Sequence, residues 1–91
     1  MLYTAAREPE RVAVRLWHAA RCGTFGEVSA LELYEDFRIW LLRHPGVLSY
    51  MPGPAVFGAA LMSLGLEKRR KRGLTYYLGI SLKTEVDSGV I

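Results

Sequence analysis

The chain predicts an α+β domain in which three helices precede a two-stranded β-hairpin, and three observations carry that expectation. Three stretches repeat their apolar residues at helical spacing between proline, serine and glycine boundaries. A fourth stretch, Leu74 to Leu82, places Leu74, Tyr76, Leu78, Ile80 and Leu82 at every second position, the pattern of a strand with one buried face. Between the last helix and that strand lies a run of five basic residues ending at Gly73, a turn residue. A helix followed by such a hairpin has the order of a winged helix-turn-helix domain.

The 91 residues allow one domain with a modest core, and about half of them are apolar, so the chain is globular in composition. No apolar run approaches the roughly 20 residues a membrane span needs, and the opening residues hold no continuous apolar stretch of the signal-peptide kind. A lone cysteine, Cys22, fits a reducing compartment. The expected location is cytoplasmic. Asn and Gln are absent and Arg outnumbers Lys three to one, a bias of GC-rich or thermophilic sources.

Residues 1–8 read as a flexible N-terminus, 9–82 as the folded domain and 83–91 as a flexible tail. Pro9 suits the first turn of helix one and Gly23 its end. Val12, Ala13, Leu16, Trp17, Ala19 and Ala20 gather on one face, opposite Arg11, Arg15, His18 and Cys22. The link from Gly23 to Val28 has room for a very short edge strand. Ser29 and Glu32 form a capping box that opens helix two, whose core face collects Leu33, Tyr34, Phe37, Trp40, Leu41 and His44. Leu31, Ile39 and Leu42 project from its other side, where they need cover from helix one or from a partner. Pro54 opens helix three, which runs to Leu64 with Val56, Phe57, Ala60, Leu61 and Leu64 as its buried stripe, and Gly65 closes it. The hairpin goes out along Leu66 to Lys71, turns at Arg72 and Gly73, and returns along Leu74 to Leu82.

Charge is concentrated on this hairpin. Lys68, Arg69, Arg70, Lys71 and Arg72 face one acid, Glu67, whereas the whole chain carries a net charge of only +3. The remainder is therefore slightly acidic, and a single basic surface is the pattern of a protein that meets a phosphate backbone.

Leu33, Tyr34, Phe37 and Trp40, then Phe57, Gly58, Leu61 and Gly65, then Gly73, Tyr77, Gly79, Ile80 and Leu82 resemble the winged-helix domain at the C-terminus of phage, plasmid and poxvirus-type primase-helicases. The resemblance covers about two thirds of the chain. It implies a DNA-binding module from a phage or other mobile element, serving replication or regulation, with helix three toward the major groove and the wing on the flanking backbone. The chain is then either a freestanding relative or a fragment of a larger protein. One departure stands out: the surface of helix three is Gly53, Pro54, Ala55, Gly58, Ala59, Met62 and Ser63, and only Ser63 can make a directed hydrogen bond to a base edge. The same smooth surface suits a protein groove. The alternative expectation is therefore a protein-interaction module, or an inhibitor of a host protein, docking through helix three or through Leu31, Ile39 and Leu42, as a homodimer or with another chain.

Chemistry has little foothold. His18 and Cys22 stand four apart, half of a metal site with no second pair to complete it. His44 reads as a helix-end residue meeting the last carbonyls, and Glu32, Glu35 and Asp36 read as a solvated acidic face. No glycine-rich phosphate loop precedes a helix. The expectation is a protein that is not an enzyme and takes no cofactor or metal.

Overall fold

Helix starts are set where the sequence offers prolines and caps. The computed structural model describes residues 5–83 and orders them as α1 (Glu8–Arg21), β1 (Cys22–Gly23), β2 (Glu27–Ser29), α2 (Ala30–Leu42), α3 (Pro54–Met62), β3 (Glu67–Lys71), β4 (Leu74–Leu78) and β5 (Ser81–Leu82). Proline lies in the first turn of both α1 and α3. At α2 the Ser29 hydroxyl accepts from the Glu32 amide (3.2 Å) and the Glu32 carboxylate accepts from the Ser29 amide (3.4 Å), the expected capping box. The class is α+β, with three helices and small antiparallel sheets. Among the described residues no helix is long and apolar enough to cross a membrane.

The hairpin is wider than expected. β2 pairs antiparallel with β4, giving a three-stranded sheet of order β2-β4-β3, and β1 pairs separately with β5. Both short strands come from the link after α1, where one edge strand was expected. Lys71 and Leu74 face each other across a two-residue turn in which Arg72 (φ 54°) and Gly73 (φ 80°) are both left-handed, the geometry that matches the twist of a tight hairpin.

Strand phase departs from the simple alternation. Leu74 is 56% exposed, whereas Tyr77, at the opposite parity, is buried at 3%. Ile80 reaches the core only because Gly79 adopts φ 82° and breaks the strand, so the expected single face from Leu74 to Leu82 is two short segments out of phase.

The core lies where the three helices meet the sheet. Trp17, Phe37 and Phe57 contact one another edge-on or tilted at centroid distances of 4.9–5.7 Å. Leu33, Leu41, Ala60, Leu61 and Ile80 complete the cluster. Trp40, expected inside with them, is half-buried, lying beside Phe37 on one side and stacking on His44 on the other. α1 is rotated from its expected phase: Glu10, Ala13, Val14 and Trp17 are buried, while Leu16, Ala19 and Ala20 are exposed. The apolar residues of α1 nearly encircle it, so polar anchors decide the rotation. Glu10 is held by Tyr50 and Arg7, and Arg21 by Asp36. With α1 so placed, Leu31 (69%), Ile39 (47%) and Leu42 (65%) stay exposed instead of being covered by it.

Residues 1–4 of the expected flexible N-terminus and 84–91 of the expected tail lie outside the described residues. Ala6 packs into the core, and the Lys83 amide donates to the Arg21 carbonyl (2.8 Å).

Candidate nucleic-acid interface

α3 begins at Pro54 because proline can occupy the first turn without losing a hydrogen bond, and Phe57, Ala60 and Leu61 fix its rotation by entering the core. The opposite side, Pro54, Ala55, Gly58, Ala59 and Met62, is thereby turned toward the hairpin. A groove of about 370 Å³ runs between them, lined on the hairpin side by Lys68, Thr75 and Tyr77 and also by Ala30. The structure thus brings Pro54, Ala55, Ala59 and Met62 together with Lys68. Gly53 precedes the helix as its cap residue without a side-chain hydrogen bond, and Ser63 does not line the groove; its hydroxyl is turned back onto the Ala60 carbonyl. That contact uses the one side chain of α3 that the sequence offered for a directed bond to a base.

The basic run does not act as one block. Paired residues in an antiparallel ladder share a face, so Lys68 and Arg70, opposite Tyr77 and Thr75, lie on the groove side with Val28, which opposes Tyr77 from β2. Glu67, Arg69 and Lys71, opposite Leu78, Tyr76 and Leu74, lie on the outer side, and Glu27 joins them opposite Leu78. Acids on the outer side offset its bases: Lys71 meets Glu27 at 2.8 Å and sits over the Tyr76 ring, and Arg69 meets Glu67 at 3.4 Å. On the groove side no acid answers. Arg70 donates to the Gly73 carbonyl (3.2 Å), and among the described residues neither Lys68, Arg70 nor the turn residue Arg72 pairs with a carboxylate. Positive potential is therefore concentrated beside α3.

Several other polar residues are held within the fold. Asp36, expected on a solvated acidic face, is instead half-buried, accepting from the Trp17 indole N–H (3.0 Å) and from Arg21 (2.8 and 3.0 Å). Burial alone would raise its carboxyl, but the hydrogen bonds from Arg21 and Trp17 with the attraction of Arg21 outweigh it and hold Asp36 below its ordinary value. Glu10 is likewise held low, by the Tyr50 hydroxyl and the Arg7 amide (2.7 Å), despite burial. Glu32 serves its capping box and Glu35 meets Arg38 at 3.7 Å. Nδ1 of His44 lies 2.8 Å from the Trp40 carbonyl, the helix-end role expected of it. Cys22 is buried in β1 and not on the polar face of α1, and burial pushes its thiol up to about 12, which keeps it protonated and unreactive. Among the described residues no three His, Cys, Asp or Glu side chains gather where they could hold a metal ion.

Sequence reasoning missed Thr75 and Tyr77 as groove residues, having placed the other parity of β4 inward. The signal was present: a two-residue turn at Arg72 and Gly73 sets Lys68 opposite Tyr77. Comparison with protein-family models, with curated proteins and with solved structures finds no match to this chain.

Proposed function

We propose that this chain is a winged-helix DNA-binding protein that grips the phosphate backbone through one side of its hairpin. The order of α1, β2, α2, α3, β3 and β4, with β2 completing the sheet, supports the winged-helix reading. The observation that carries the function is the charge of Lys68 and Arg70, on the side of the hairpin that adjoins α3, and of Arg72 at its turn, none of which meets a carboxylate among the described residues. Charge of this kind gives affinity with little dependence on base sequence, and the bare surface of α3 agrees with weak base readout. Origin in a phage or other mobile element, with a role in replication or regulation, belongs to the same proposal and rests on the resemblance of the core and hairpin residues.

The test is a titration against random duplex DNA at two salt concentrations. Neutralising three phosphates gives a slope of log affinity on log salt of about −3. Binding that ignores salt, or that survives reversal of all three charges, overturns the reading.

A second reading has its own observation. Leu31, Ile39 and Leu42 remain exposed on α2, away from the groove, as a protein-interaction module or a dimer would have them. Solution mass and Leu31→Glu with Leu42→Glu test it: a dimer that dissociates in the double variant favours this reading, and a wild-type monomer removes the homodimer from it.

A further inference from the structure

A tyrosine hydroxyl is left without a partner at the bottom of the α3 groove. Tyr77 is 3% exposed, yet its hydroxyl has no hydrogen-bond partner among the described residues, and Tyr77 lines the groove. The hydroxyl is not sealed inside the fold, as His18 Nε2 is, but opens on the groove, where a group arriving from outside can meet it. Gly58 keeps the hydroxyl accessible: a Cβ built there would stand 3.4 Å from it. Beside it stand the ammonium of Lys68, which no carboxylate meets, and the hydroxyl of Thr75. At the same groove α3 presents its N-terminus, where no side chain caps the helix and the amide of Ala55 has no intrahelical acceptor.

We infer that this groove is a phosphate-binding site, in which Lys68 supplies charge and the hydroxyls of Tyr77 and Thr75 and the first amides of α3 donate to the phosphate oxygens. Among the described residues no acid lines the groove, and its polar side chains, Lys68, Thr75 and Tyr77, can all donate. Burial raises the Tyr77 hydroxyl above its ordinary value of 10.0, which keeps it a neutral donor. The inference deepens the DNA-binding reading by adding one seated phosphate to a diffuse basic surface. It does not need that reading, because a free phosphate or phosphate monoester has the same chemistry.

Chemical-shift titration of the full chain with inorganic phosphate and, separately, with a short random duplex tests the site, using wild type, Tyr77→Phe and Lys68→Met. Shifts centred on Ala55, Gly58, Lys68, Thr75 and Tyr77 are expected, and Tyr77→Phe should weaken duplex binding roughly tenfold, the loss typical of one hydrogen bond to a charged group. Its melting temperature should stay level or rise, because the hydroxyl has no partner within the protein; a structural hydroxyl would give the opposite. Lys68→Met, a change at an exposed residue, repeats the binding test where Tyr77→Phe fails to fold. Shifts with phosphate but not duplex keep the site and defeat the DNA reading. Salt-sensitive duplex binding unchanged in both variants defeats the site and keeps the DNA reading. No groove shift with either probe overturns the inference.

Discussion

The arginines of the helical region and the basic residues on the groove side and turn of the hairpin are used in opposite ways. Arg7, Arg11, Arg15, Arg21 and Arg38 each reach a carboxylate within 4 Å, on Glu10, Glu8, Glu8, Asp36 and Glu35 respectively. Lys68, Arg70 and Arg72, on the groove side of the hairpin and at its turn, reach none among the described residues. In the first region charge is spent within the fold, orienting α1 and fastening the residue 48–52 loop through Tyr50. In the second it faces solvent. Substitutions in the helical region should therefore move stability with little effect on binding, and those on the groove side should do the reverse.

Phe57 is where the comparison breaks down, since it joins the core to the helix that bears the groove. Phe57→Ala removes a ring packed against Trp17, Tyr34 and Phe37 and should cost about 3 to 5 kcal/mol, read from chemical denaturation. That is a large part of the stability of so small a domain, and binding should be lost with the fold. A variant that melts like wild type would mean that α3 is not seated as described.

The next effect belongs to the groove side alone. Reversing Lys68, Arg70 and Arg72 to Glu should weaken duplex binding roughly a hundredfold or more and reduce the salt slope toward zero, with the melting temperature almost unchanged. Equal losses of affinity and stability would erase the distinction between the regions.

For the helical region, acid is the sharper tool. Glu10 and Asp36 have folded-state values below their ordinary 4.5 and 3.8, so the unfolded chain binds protons more readily than the native one. Their contribution is complete above about pH 5 and is lost as pH falls through the depressed values. Melting temperature should hold steady from neutrality to about pH 5 and then decline. Asp36→Asn should cost about 1 to 3 kcal/mol near neutrality and flatten that decline. A wild-type profile with stability rising below pH 4 would contradict both assignments.

The smallest effect is expected on the outer side of the hairpin. Arg69→Ala with Lys71→Ala removes two charges already offset by Glu67 and Glu27 and should change duplex affinity by about threefold or less, because exposed pairs are weak and largely self-cancelling. A loss matching the groove-side reversal would return the hairpin to a single undivided basic block.

Local signals in the sequence were reliable where the interaction is local. Ser29 with Glu32 marks the start of α2, Pro54 the start of α3, and Arg72 with Gly73 the turn, because each acts on backbone within a few residues. The phase of α1 was not legible in the same way. Trp17 bonds Asp36 across 19 positions and Tyr50 bonds Glu10 across 40, and no helical period records such pairings. β4 failed for another reason: apolar residues occupy both parities, and the left-handed Gly79 shifts the phase before Ile80. As for the interface, its charged residues were visible as a run, but their division into offset and unoffset sets depends on Glu27, which arrives from a strand too short to announce itself.

β3 is also the outer strand of its sheet, and all five of its residues are exposed. An open strand edge is a template on which a second copy can add its own strand, the route by which small β-containing proteins stick together. Here two such edges would bring Lys68, Arg69, Arg70 and Lys71 of one molecule against the same four of the other, and the repulsion would hold them apart. That repulsion between hairpins is strongest at low salt, and added salt screens it.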